Sequence, residues 1–160
     1  MSESLIDLGV FHRRMVAQIS QFFGNDVAHV GAYERFRDVL PSPLVMVELD
    51  SVGDDSPDEV STGQAAAELE FSAFVVVNGL DADAELRVRQ LALRLRQFLF
   101  RNNFGMEVCF PKLGDARSAE FDWPKSLASA GEFVIWRVGF TFSDVFLGEN
   151  CWEDCREDFL

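Results

Sequence analysis

Apolar and polar residues alternate with period two from Glu132 to Phe146, with Val134, Trp136, Val138, Phe140 and Phe142 on one face and Arg137, Gly139, Thr141 and Ser143 on the other. This is the pattern of a half-buried strand, longer than the usual five or six or so residues. Leu69 to Asn78 reads as a mostly buried strand, since Phe71, Ala73, Val75 and Val77 lie opposite Phe74 and Val76. Two other stretches repeat at spacings of three and four, the period of a helix packed on one side. In Leu5 to Phe23 the stripe is Leu8, Phe11, Met15, Ile19 and Phe22, and Gly24-Asn25-Asp26 stops it. In Ala82 to Asn102 it is Ala84, Val88, Leu91, Ala92, Leu95, Phe98 and Leu99. Asp81 or Asp83 can cap this second helix, and its acids precede its arginines as the macrodipole favours.

Shorter strands are expected at Val27 to Val30, Pro41 to Leu49 and Met106 to Pro111, while Tyr33 to Leu40 fits either type. Phe121 to Gly131 reads as a loop with room for one turn of helix. Asp50 to Gly63 combines Gly53, Pro57 and Gly63 with Asp54, Asp55, Asp58 and Glu59 and has little apolar content to order it. The expected fold is therefore α+β: a mixed or antiparallel sheet with two long helices packed on one face. Residues 1–160 form one domain in this reading, with a mobile acidic loop at about 50–63 and an acidic C-terminal tail.

Charge sharpens the picture. The formal charge is −13, which disfavours a surface built to grip nucleic-acid phosphates. Its distribution says more than its sum. From Asp38 through Leu86 there is no Lys or Arg against twelve acids, and the next sixteen residues hold five arginines. On a helix Arg87, Arg94 and Arg101 line one edge of the apolar stripe, and Arg89 and Arg96 the other. One reading is a solvated helix with locally paired arginines; the other is complementarity between copies, the acidic middle of one subunit meeting the arginine edge of the next.

Catalytic signatures are missing: there is no phosphate-binding glycine loop, nucleophile elbow or His-Glu-x-x-His helix. The acids at Asp54, Asp55, Asp58 and Glu59 lack the spacing that wraps a cation. No cofactor or metal site is expected. His12 and His29 read as structural or surface residues. Cys109 falls in an expected strand, and Cys151 with Cys155 matches no zinc knuckle or disulfide framework. Trp123 and Trp152 fit either a core or an interface. No apolar run approaches the roughly 18 to 20 residues of a membrane span, and Met1-Ser2-Glu3-Ser4 lacks a signal-peptide pattern. A protein made in the cytoplasm, with no membrane partner, is expected.

Several of these segments carry a resemblance. Trp136-x-Val138-x-Phe140 followed by Leu147-Gly148, the Pro-flanked strand from Pro41 to Leu49, and a long helix ending in Asn103-Phe104-Gly105 occur in one order. That ordered set, over roughly residues 5 to 152, resembles the tail terminator proteins of long-tailed bacteriophages and related contractile bacteriocins. The resemblance implies a structural protein of the virion tail's neck-proximal end, assembled in the host cytoplasm. It implies a homohexameric ring that caps the tail tube, stops its polymerisation and meets a neck or connector protein, and the sheath protein where the tail contracts. DNA would pass through the lumen without specific binding. Candidate interface residues are Asp54, Asp55, Asp58, Glu59, Arg87, Arg94, Arg101 and Trp152. The alternatives are a neck adaptor or other tail-assembly protein and, from a different class, a small acidic metal-dependent hydrolase.

Overall fold

The computed structural model describes residues 5–33, 36, 40–54, 66–120 and 133–148. Helix α1 (Leu8–Phe23) starts at Asp7, whose side chain accepts from the Val10 N–H at 3.0 Å. It ends at Gly24, which takes a positive φ of 55° that a side chain would oppose. Strand β1 (His29–Gly31) follows, then β2 (Leu44–Asp54), β3 (Ala67–Asn78), α2 (Ala84–Leu99), β4 (Lys112–Ser118) and β5 (Phe133–Val145). The strands form one sheet in the order β1-β2-β3-β5-β4, parallel between β1 and β2 and antiparallel elsewhere. The fold is the expected α+β arrangement with a mixed sheet.

Both helices lie on one face. Phe11, Met15, Ile19 and Phe23 of α1 and Val88, Leu91, Leu95 and Leu99 of α2 close over Val45, Val47, Phe71, Val75, Val138, Phe140 and Phe142. Phe11 is the hub, with edge-on contacts to Phe71, Phe104 and Phe142 at 6.1, 6.4 and 4.9 Å between ring centres. Truncating a phenylalanine so enclosed typically costs about 3 to 5 kcal/mol. The opposite face carries a smaller cluster of Leu40, Leu44, Met46, Phe74, Val76 and Ile135. It explains why β3 is apolar on both sides.

Several expectations need correction. Phe23, not Phe22, completes the α1 stripe, because the buried positions recur every four residues from Phe11; Phe22 is 38% exposed and stacks on Phe98 at 4.4 Å. Trp136 is only half-buried at the margin of the core, whereas Phe140 is fully enclosed. Met106 to Pro111 is no strand: Phe110 and Cys109 are exposed, and the chain pairs with β5 only after Pro111, which brings no N–H to a ladder. Residues 50–54, expected as loop, belong to β2. There Ser51 to Asp54 pair with Glu70 to Ala67 beyond a bulge, and the Ser51 hydroxyl donates to Glu70 at 2.9 Å. The rest of that expected loop, the expected loop at 121–131 and the C-terminal tail lie outside the described residues. Helix α2 is also shorter than expected, so Arg101 stands beyond it.

Candidate functional site

Helix α2 carries the arginines, and the structure uses them unequally. Arg94 pairs with Asp26 at 3.0 Å and lies over the rings of Phe22 and Phe23 at 5.6 and 5.3 Å, bracing α2 against the end of α1. Arg89 pairs with Glu85 at 2.7 Å and covers Trp136 at 5.0 Å, and Arg96 donates to the Gly114 carbonyl at 3.0 Å. Local pairing therefore accounts for Arg89, Arg94 and Arg96. Arg87 forms no ion pair with a described residue and borders a shallow cleft of about 370 Å³ beside Asp26 and Arg94. Arg101, at a positive φ of 53°, sits over the exposed ring of Phe100 at 5.6 Å. Arg87, half-buried, and Arg101, exposed, are the two members of the expected edge with no ion pair to a described residue, and the neighbouring positions are apolar. Leu86, Leu93 and Phe100 recur every seven residues and are 57, 56 and 64% exposed.

The turn that holds Phe100 and Arg101 is well tied. The Phe100 N–H reaches the Arg96 and Gln97 carbonyls at 3.2 and 3.3 Å, and the Asn102 N–H reaches Leu99 at 3.2 Å. The Asn102 amide donates to Phe98 at 3.2 Å and its oxygen accepts from the Phe104 N–H at 2.9 Å. Arg14 and Gln18 of α1 then donate to the Gly105 and Phe104 carbonyls at 3.4 and 3.1 Å.

At the other end of α2 lies an open cleft of about 850 Å³. Leu80, Phe133 and Trp136 supply its apolar lining, Asp83 and Glu120 stand on it, and the Arg89–Glu85 pair lies in it with Arg89 over Trp136. Asp83 occupies the helix N-cap at a positive φ of 54° and makes no capping bond through its side chain. Asp81 does not cap either: it accepts from the Ser42 hydroxyl at 2.8 Å, while that hydroxyl accepts from the Asn78 N–H at 2.9 Å. The turn into α2 is thereby pinned to the start of β2. Leu80 is 82% exposed.

The hairpin of β2 and β3 holds Glu48, Asp50, Asp54, Glu68 and Glu70 and no base. On the sheet face away from the helices Ser72 is fully buried and donates to Asp50 in a short hydrogen bond. Arg137 of β5 donates to Ser72 at 2.7 Å and pairs with Asp50 at 3.3 Å. Burial pushes the Glu48 carboxyl above its ordinary value, and the neighbouring Asp50 charge adds to the rise. The outer edge of β2 beyond β1 is closed by side chains: His12 donates to the Val47 carbonyl at 2.8 Å and the Leu49 N–H donates to Tyr33 at 2.6 Å. His12 thereby ties α1 to the edge of β2. It also removes part of a sheet edge from use by another chain.

Among the expected interface residues, Asp54 is the last residue of β2, paired with Ala67. Arg87, Arg94 and Arg101 divide as above, and Asp55, Asp58, Glu59 and Trp152 lie outside the described residues. The exposed stripe Leu86, Leu93, Phe100 escaped the sequence reading although its seven-residue spacing was visible. Among the described residues no group of three His, Cys, Asp or Glu is placed to hold a metal ion, and no helix is long and apolar enough to cross a membrane.

No protein-family model matches the chain, and no curated protein matches it. Among solved structures the chain is similar to the sheath/tube terminator, in its extended state, of an extracellular contractile injection system, PVC. The identity is 12% and the TM-score 0.40, over 91% of this chain and 61% of that one. The chain thus spans less than two thirds of that structure's length, and a likeness at this level fixes neither family nor function.

Proposed function

We propose that this chain is a structural tail terminator: a protein that forms a hexameric ring on the tail tube, stops its growth and presents its other face to a neck or connector protein. The observation that carries the reading is the separation of charge onto different elements of the fold. Acids without bases occupy the β2–β3 hairpin, while half-buried Arg87 of α2 and exposed Arg101 just past its end lie beside exposed leucines and a phenylalanine. A subunit with two unlike, complementary surfaces associates head to tail, and such contacts close into rings. The ordered motifs of the sequence supply the tail context. The protein acts by shape and charge rather than by catalysis, with sheath protein as a further partner in a contractile particle and DNA passing the ring without specific binding.

The test is tail length in particles assembled with an Arg87→Glu/Arg101→Glu chain. Neither residue supports the core, so the monomer stays folded by circular dichroism. The expected result is uncapped or overlong tails in electron micrographs. Tails of normal, uniform length in the complete absence of the protein would overturn the reading, and capped tails that fail only to join heads would assign it to the neck instead.

A further inference from the structure

Helix α2 ends in an exposed aromatic and a cation at one end and begins beside an open, acid-bearing cleft at the other. Its 16 residues separate the two ends by about 24 Å at 1.5 Å per residue. They cannot meet within one molecule. Resting on the ring reading above, we propose that they meet between copies: Phe100 and Arg101 of one subunit enter the cleft of the next, with Phe100 against Leu80 and Arg101 toward Asp83 and Glu120.

Three properties of the surfaces point to a second copy as the occupant. The first is chemistry. An apolar lining that carries Asp83 and Glu120, with Glu85 already paired to Arg89, selects a partner with an apolar body and a positive charge, and Phe100 with Arg101 over its ring is such a pair. The second is size. About 850 Å³ of open space accommodates a phenyl ring and a guanidinium together. The third is preparation. The hydrogen bonds of Asn102 hold the turn that displays Phe100 and Arg101 in place before any partner arrives, so little conformational entropy remains to be lost on docking. Pairing of α2 with itself is disfavoured, because antiparallel stacking of the Leu86, Leu93, Phe100 stripe would set the arginines of two helices against each other.

A contact between unlike surfaces makes a specific prediction about mixtures. Phe100→Ser/Arg101→Glu breaks the projection and leaves the cleft; Leu80→Lys/Glu120→Lys breaks the cleft and leaves the projection. All four positions are exposed, so both full-length variants should keep the thermal midpoint of the parent. By sedimentation velocity at about 0.1 M salt, wild type should show species larger than dimers at high concentration, and each variant alone should self-associate at least about tenfold more weakly. An equimolar mixture of the two variants should form a one-to-one dimer and stop there, since only one intact projection and one intact cleft remain per pair. Wild type that stays monomeric overturns the proposal, the cleft then being filled within one molecule or by another partner. So do variants that associate like wild type, or a mixture no stronger than its components. If particles carrying the variants are nevertheless capped normally, the docking site fails while the terminator reading stands; if wild-type protein never reaches the tail, the terminator reading itself fails.

Discussion

At the scale of single residues, the polar cluster on the uncovered sheet face shows how placement changes a side chain's meaning. Ser72 is a polar residue in an otherwise apolar strand; in the fold it is a buried hydroxyl between Asp50 and Arg137, three residues from three different strands. Nothing local in the sequence links them, because strand order and register bring them together. Glu48 pays for that neighbourhood. Its folded-state carboxyl titrates above the ordinary 4.5, first because of burial and then because of the Asp50 charge. The fold therefore prefers the protonated form, so the stability this gives is fully present below the ordinary carboxyl value and is lost as pH rises through the raised one. At neutral pH the ionised group is a standing cost. Glu48→Gln should raise the thermal midpoint at pH 7, and the advantage should shrink steadily as pH falls toward 4; an advantage independent of pH would assign the effect to packing.

At the scale of elements, the two helices and the long strands β3 and β5 were legible because each repeats its own period over many residues. What escaped lay at the margins. Strand β4 is short, mostly exposed and written Lys-Leu-Gly-Asp-Ala-Arg-Ser, with its Leu113 and Ala116 offset by a bulge, so period two never develops. The end of β2 reads as loop residue by residue and becomes strand only because β3 lies beside it. The arginine edge was legible as spacing but not as function, since α1 lies where no helical wheel of α2 could place it. Arg94 is consequently a brace. Arg94→Ala should cost about 1 kcal/mol in urea unfolding, the combined scale of an exposed ion pair and an exposed cation–π contact. Arg87→Ala should change stability by less than about 0.5 kcal/mol. Equal losses for the two would mean that Asp26 and the Phe22–Phe23 pair do not distinguish them.

At the scale of the whole molecule, two electrostatic effects oppose each other in any assembly of identical copies. Each subunit carries a formal charge of −13, so copies repel. In the proposed ring each would also offer Arg87 and Arg101 to the acids of its neighbour, so the same copies would attract locally. Distance separates the two effects. The repulsion acts between charge distributions centred tens of ångströms apart and is already largely screened at 0.1 M salt, where the Debye length is about 10 Å. Contacts within about 4 Å survive that screening and fade only at higher concentration. Wild-type association should therefore strengthen as salt rises from about 0.01 to 0.1 M, when repulsion is removed first, and weaken beyond it as the local pairs are screened. Arg87→Glu/Arg101→Glu removes the attraction and adds negative charge, so its residual association should rise with salt throughout. Measuring the association constant of both proteins across that range decides the point. A wild-type curve that climbs without a maximum would place the hold between subunits in apolar contacts such as those of Leu86, Leu93 and Phe100, with the arginines serving only as a solvated border.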